Sequence, residues 1–368
     1  MKEILQAGPS ITKVEKSYVK KMMNDGWDNY KYVEEFEEKF ARWHDRKFCL
    51  MTPNCTQAIH LILMSLNIKE GDEVIVPELT WTATAAPIIY QKAKPVFVDV
   101  DEKTWCISID SIQKNITKKT KAIIFVDLYG NMPNIEQLKK LSKNTKIPLI
   151  EDSAEALGSK YKGIRAGKFG IGSVHSFHRT KTLTTGEGGA LLIDNKKIYQ
   201  RAKFLRDHGR SNKIPYFTLE ATPKYMPSNI QGALALGQFK RINELIKIKR
   251  SFMNFYKSKF KNLDAILNYE DKDYYNGVWA TSMVFSKKYK FNKLDIINSM
   301  QQKKIPIRPF FYPLSSLPAY KMYNNKNNMK NPIAYDISKR GITLPCHYNL
   351  NKEQLEHIAN SLINFFNQ

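Results

Sequence analysis

Between Phe48 and Asp194 the chain repeats one pattern, a short apolar run followed by a stretch of helical character. The runs Phe48–Met51, Glu73–Val76, Pro95–Val100, Ala122–Val126, Pro148–Glu151, Ser173–Phe177 and Ala190–Ile193 read as strands. Thr56–Leu66, Thr84–Tyr90 and Ile135–Leu141 read as helices that follow several of them. Such alternation predicts an α/β fold, with a mostly parallel sheet covered by helices on both faces. In sheets of this kind ligands sit outside the carboxyl ends of the strands. The polar residues collected there are the first candidates for function.

Past this region, Ile230 to Tyr256 reads as one long helical region. The remainder mixes short strands, Trp279–Phe285 and Ile305–Pro309, with a closing helix, Lys352–Phe366. A length of 368 residues accommodates two domains. The boundary is expected near residue 249, with a large domain over 1–248, a smaller one over 249–368, and a crevice between them for substrate.

Composition narrows the function classes. A content of 42% hydrophobic and 25% charged residues is that of an ordinary soluble protein. No apolar stretch reaches membrane-spanning length, and the N-terminus lacks a signal-peptide pattern. A cytoplasmic protein with no membrane partner is expected. The four cysteines, Cys49, Cys55, Cys106 and Cys346, are scattered without metal-type spacing. They are expected to be buried or incidental thiols, with no metal site. The net charge of +23 invites a nucleic-acid reading. The excess is mostly lysine spread along the chain, without a basic arm, zinc-finger spacing or a DNA-reading helix pair. A solvated surface is expected, not a nucleic-acid partner. That charge also suits a phosphate-bearing small molecule.

Four stretches carry candidate chemistry. In "PLIEDSAEALGS" an apolar strand runs into Glu151 and Asp152. A strand-end acid is poorly solvated without a cationic partner; alternatively Asp152 or Ser153 caps a short helix through Ala154–Leu157. In "TPNCTQAIHLIL" a small-polar turn opens a helix, and its amides with the Thr56 hydroxyl suit a phosphate. An ordinary cap by Asn54 or Thr56 is the alternative, and His60 reads as an ordinary core or surface histidine. In "PELTWTATAA" Trp81 follows a strand end. It stacks on an aromatic ligand or belongs to the core. In "SFHRTKTLTTGEGGALLIDN" a single lysine, Lys181, precedes a glycine-rich turn. Desolvation or the neighbouring Arg179, His175 and His178 would activate its amine. Gly186, Gly188 and Gly189 allow sharp turns and close backbone approach.

A phosphate-binding helix start, an aromatic stacker, a strand-end aspartate and a later lysine, in that order, are the parts that pyridoxal 5'-phosphate needs. The chain resembles the DegT/DnrJ/StrS group of pyridoxal-phosphate sugar aminotransferases, a branch of the fold-type I enzymes similar to aspartate aminotransferase. The resemblance covers nearly the whole chain. It rests on "FEEKFA", "GDEVIVPELTWTATA", "AKPVFVDVD", "IEDSAEALGS", "SFHRTKTLTTGEGGAL", "YMPSNIQGALALGQ" and "ITLPCHYNL".

That resemblance implies roles. Lys181 matches the Schiff-base lysine and Asp152 the partner of the pyridinium nitrogen. Glu155 sits where the family has Gln or Glu beside the ring. Ser176 matches the serine that reaches the phosphate. Thr56, with the amides of Cys55 and Gln57, matches the phosphate turn, and Cys55 replaces the usual glycine or alanine. Trp81 matches the stacking aromatic. The family forms homodimers with shared active sites, in which an asparagine of an "NYRMTNIQ" segment reaches over from the partner. Here that segment reads "KYMPSNIQ", so Lys224 or Tyr225 would have to serve.

The implied reaction is transamination from L-glutamate, leaving 2-oxoglutarate, to a nucleotide-linked keto sugar for a surface polysaccharide. Relatives that run a dehydration place histidine at the Schiff-base position; the lysine here favours transamination. "IPIRPFFYPLSSLPAY" looks like the matching stretch of the perosamine-synthase branch, which implies GDP-4-keto-6-deoxy-D-mannose as substrate. A 3-keto sugar on dTDP or UDP, a sugar dehydratase and a DNA-binding regulator are the alternatives. Arg308, Tyr312 and His178 are candidates for the substrate side, with loop packing as the alternative for Arg308 and Tyr312.

Overall fold

The computed structural model describes residues 3–323 and 331–368. Seven strands build the main sheet: β1 (Phe48–Thr52), β2 (Glu73–Pro77), β3 (Lys94–Val98), β4 (Thr120–Val126), β5 (Leu149–Asp152), β8 (Gly172–Ser176) and β9 (Gly189–Ile193). Two short strands, β6 (Lys160–Tyr161) and β7 (Ile164–Arg165), form a small sheet with β11 (Tyr274–Tyr275). A third sheet joins β10 (Ala265–Leu267), β12 (Ser282–Phe285), β14 (Gly341–Thr343) and β13 (Arg308–Pro309), in that order.

The main sheet runs β1-β9-β8-β5-β4-β2-β3. Pairings from β8 through β3 are parallel, while β9 is antiparallel to both β8 and β1. The expected mostly parallel sheet is therefore present, with one reversed strand near an edge. Successive side chains of a strand point to opposite faces. Val74 and Val76 enter one core cluster and Ile75 another; Ile124 likewise separates from Ile123 and Phe125. Both faces are covered, so the strands read as near-continuous apolar runs. A separate cluster packs Met283, Phe285 and Ile342 of the third sheet against Ile296, Ile358 and Leu362.

The region expected as one helix from Ile230 is two, Asn229–Lys240 and Ile242–Lys259. Arg241 leaves the helical path between them (φ −107°, ψ 11°). Its guanidinium donates to Glu15, which is fully buried, at 2.8 Å and to Glu244 at 2.8 Å. A buried carboxylate needs such a partner, and a straight helix has not formed here. All four cysteines are buried free thiols. No described helix is long and apolar enough to cross a membrane.

Candidate active site

Register brings the candidates to one edge of the sheet. Thr52 pairs with Gly189, Gly189 with Ser176, and Val174 with Asp152. The carboxyl ends of β1, β5 and β8 thus meet beside the start of β9.

Asp152 ends β5 and is buried. Thr84 Oγ1 donates to its Oδ2 at 2.8 Å, and the Ala154 amide donates to its Oδ1 at 3.2 Å. No helix follows: residues 154–155 and 157–158 form turns. The alternative of a cap on a helix through Ala154–Leu157 is corrected: the carboxylate closes a tight turn instead. Burial pushes its acidity toward higher pH, against the hydrogen bonds from Thr84 and Ala154 and the charge of Lys181.

Lys181 lies in the loop between β8 and β9, its side chain mostly buried. Its Nζ is 3.2 Å from Glu155 Oε1 and 3.6 Å from the centroid of the Trp279 ring. Glu155 also accepts the Tyr129 amide at 2.9 Å, and burial raises its pKa. Of the basic neighbours in sequence, Arg179 and His178 lie within electrostatic range of one another and His178 of Lys181. His175 is fully buried and held neutral, its pKa pushed down to about 3 by desolvation. Burial lowers that of His178 too. The ionic partner within reach of the amine is a carboxylate.

The turn before helix Cys55–Ser65 is capped by Asn54, whose Oδ1 accepts the Gln57 amide at 2.9 Å. The Gln57 amide is thereby engaged. Amides at the first positions of a helix have no intrahelical partner, and here those belong to Cys55 and Thr56. This turn rests on Gly189 so closely that a Cβ there would stand 2.6 Å from Asn54 C and Cys55 N. Asp152, Lys181 and Glu155 all lie within electrostatic range of the buried Cys55 thiol. Ser176 is half-buried, and its Oγ accepts the His178 amide at 3.3 Å.

Trp81 is 58% exposed, which corrects the alternative that it belongs to the core. Its ring lies 5.7 Å from Phe311 at 40°. Phe311 stacks on Tyr129 (5.3 Å, 17°), and Tyr129 on Trp279 (5.8 Å, 1°). Sequence reasoning missed Thr84, Tyr129, Trp279 and Phe311. Tyr129 follows the end of β4, so the strand-end rule reaches it. It is held at φ 52°, an unfavourable conformation for a tyrosine, by hydrogen bonds from Asn268 (2.8 Å) and Asn276 (3.3 Å) to its carbonyl. Trp279 precedes a short strand and carries no such signal.

Arg308 opens β13 and, with Lys181 and Glu187, lies within electrostatic range of His178. Tyr312 is half exposed, with the Lys293 ammonium 4.1 Å from its ring centroid. Lys224 is exposed and pairs with Asp207 at 3.3 Å. Tyr225 donates to or accepts from His60 Nδ1 at 2.8 Å, on the helix that starts at the Asn54 turn. A cavity of about 1310 Å³ lies elsewhere, along the edge strand β1, lined by Phe48, Glu37, Arg206 and Tyr216. None of Asp152, Glu155 and Lys181 lines it.

The chain is 38% identical over its full length to a GDP-perosamine synthase of Escherichia coli O157:H7, of which it covers 99%. It is 32% identical to a GDP-perosamine synthase of Vibrio cholerae, with 98% of each chain covered. The fold superimposes on the PLP-form of the putative sugar aminotransferase Spr1654 from Streptococcus pneumoniae with a TM-score of 0.94, at 26% identity and with 99% of each chain covered. Helicobacter pylori PseC, an aminotransferase of pseudoaminic acid biosynthesis, superimposes with a TM-score of 0.93 at 26% identity over the whole of both chains. Residues 9–363 match the DegT/DnrJ/EryC1/StrS aminotransferase family, and the chain belongs to it.

Proposed function

We propose that the protein transfers an amino group from L-glutamate to a nucleotide-linked keto sugar, with Lys181 as the amine that holds pyridoxal phosphate. One observation carries this reading: Lys181 Nζ sits 3.2 Å from buried Glu155, at the sheet edge where buried Asp152 ends β5. The donor set fits the group. An amine, a buried carboxylate, a helix-start turn with free amides and an exposed indole face converge on one edge.

Bound there, pyridoxal phosphate supplies an aldehyde that condenses with amines and a ring that accepts the electron pair released when a C–H bond breaks. Lys181 would hold it, and the same amine, when free, would take up a proton as base and return it as acid. Asp152 would be the partner of the ring nitrogen, and Thr84 orients that carboxylate. The amides of Cys55 and Thr56, with the hydroxyls of Thr56 and Ser176, hold the phosphate. Asn54 shapes that turn by engaging the Gln57 amide. Trp81 would stack on the ring, and Glu155 holds the lysine amine at 3.2 Å. Arg308, His178 and Tyr312 line the sugar side.

The resemblance of Ile305–Tyr320 to the perosamine-synthase branch implies GDP-4-keto-6-deoxy-D-mannose as the acceptor, and relatives named GDP-perosamine synthase support that choice. The division into residues 1–248 and 249–368 belongs to the same reading, the smaller part closing over the cofactor. So does a homodimer. The segment 214–219 exposes Ile214, Tyr216, Phe217 and Leu219, apolar side chains that a second copy would cover. Lys224 would enter the site of the other copy.

Incubation with pyridoxal phosphate, L-glutamate and a panel of GDP-, dTDP- and UDP-linked 3-keto and 4-keto sugars tests the reading. Formation of 2-oxoglutarate and of the matching amino sugar, in equal amounts and with the GDP-4-keto-6-deoxy sugar preferred, supports it. A sugar product that has lost water without consuming glutamate contradicts it.

A further inference from the structure

The Lys181 amine lies against two groups. One is Glu155, at 3.2 Å from Nζ. The other is the face of Trp279, whose ring centroid lies 3.6 Å from the same atom. The indole is fixed in three ways. Its Nε1–H donates to the carbonyl of Thr180, the residue before Lys181, at 2.9 Å. Its ring stacks parallel to Tyr129 at 5.8 Å and 1°. Val278, fully buried beside it, is held in the left-handed region (φ 59°) by a 2.7 Å hydrogen bond from its amide to Asn276 Oδ1. The residue after Lys181 is tied down too, since Tyr348 Oη donates to the Thr182 carbonyl at 2.9 Å.

We propose that Trp279 is a positioning residue for Lys181, whose ring face holds the amine at the cofactor while its indole N–H pins the loop. A lysine side chain is a flexible four-carbon stem, so its amine reaches many places unless something holds it. Glu155 alone attracts the charge but leaves its direction open. The indole face adds a second attractor, because the ring quadrupole favours a cation over its face. Together they confine Nζ to one place. The inference rests on the reading that Lys181 holds pyridoxal phosphate.

The test uses the full chain, titrated with pyridoxal phosphate and reduced with borohydride. Mass spectrometry of the Lys181 peptide then reads the fraction labelled. Trp279→Phe keeps a ring face and loses the N–H. Trp279→Leu loses both, and Trp279→Met is carried beside it as a flexible apolar filler in case leucine unfolds the chain. The leucine or methionine variant is expected to need about 10-fold more cofactor for half-maximal labelling, and the phenylalanine variant to stay within about threefold of wild type. Labelling of the leucine or methionine variant at the wild-type concentration overturns the inference. So does a phenylalanine variant as weak as leucine or methionine, because the ring face then contributes nothing. A wild type that is never labelled at Lys181 overturns the reading of Lys181 itself, which separates the two failures.

Discussion

Thr84 Oγ1 donates to Asp152 Oδ2 at 2.8 Å, and both residues are buried. The pair joins the segment after β2 to the end of β5, so one hydroxyl sets how the candidate ring-nitrogen partner is turned. Removing it leaves a buried carboxylate oxygen short of a donor. Thr84→Val is expected to destabilise the protein by about 1–3 kcal/mol and to weaken pyridoxal phosphate binding. Thr84→Ser should retain most of both. Melting curves and cofactor titrations of the two variants check this.

Asp152 itself should separate folding from catalysis. Asp152→Asn keeps the shape and removes a buried charge whose ionised form is disfavoured by desolvation. The variant is expected to fold, and to lose glutamate-dependent turnover by about 100-fold or more if the charge is what keeps the ring electron-accepting. Steady-state rates on the purified variant read this directly. Turnover within about threefold of wild type would remove Asp152 from its assigned role.

The phosphate turn gives a test that depends on backbone alone. Gly189 lies under Asn54 and Cys55, and a Cβ would meet their backbone atoms at 2.6 Å. Backbone cannot swing aside as a side chain can. Gly189→Ala is therefore expected to cost about 1–3 kcal/mol of stability and to raise the cofactor dissociation constant by shifting the Cys55 and Thr56 amides. Calorimetry and cofactor titration together check both parts.

These sites were unequally legible. Asp152, Trp81 and the Asn54 turn stand where an apolar run meets polar residues, so the strand-end rule for α/β sheets finds them. Lys181 is legible from its glycine-rich turn. Thr84, Trp279 and Tyr348 are not, because their roles arise from contacts across the chain. Trp279 reaches Thr180 over 99 residues and Tyr348 reaches Thr182 over 166. The carboxylate beside Lys181 was hidden for the same reason. Its neighbours in sequence are basic, whereas its neighbour in space is Glu155. The break at Arg241 was hidden too, since it depends on Glu15 from the other end of the chain.

Stability should vary with pH through a buried acidic pair beneath the site. Desolvation pushes the Glu151 carboxyl from its ordinary 4.5 to about 7, and burial with the charge of Glu151 pushes Asp127 upward as well. A group whose pKa is raised on folding stabilises fully below its unfolded value, and that contribution is lost as pH rises through the folded value. Melting temperature should thus fall between about pH 4.5 and pH 7, the interval between the ordinary and the raised value of Glu151. Asp127→Asn removes one of the two charges and should flatten that fall. Thermal melts across the window check it, and equal slopes in the two proteins would contradict it.

The most direct test of the central claim is an absorbance scan of the protein saturated with pyridoxal phosphate, before and after L-glutamate, beside Lys181→Ala. The wild type is expected to show a visible band that bleaches when glutamate is added, and the variant to complete no turnover. A wild type that shows no such band and does not respond to glutamate would contradict the assignment of Lys181 and of transamination with it.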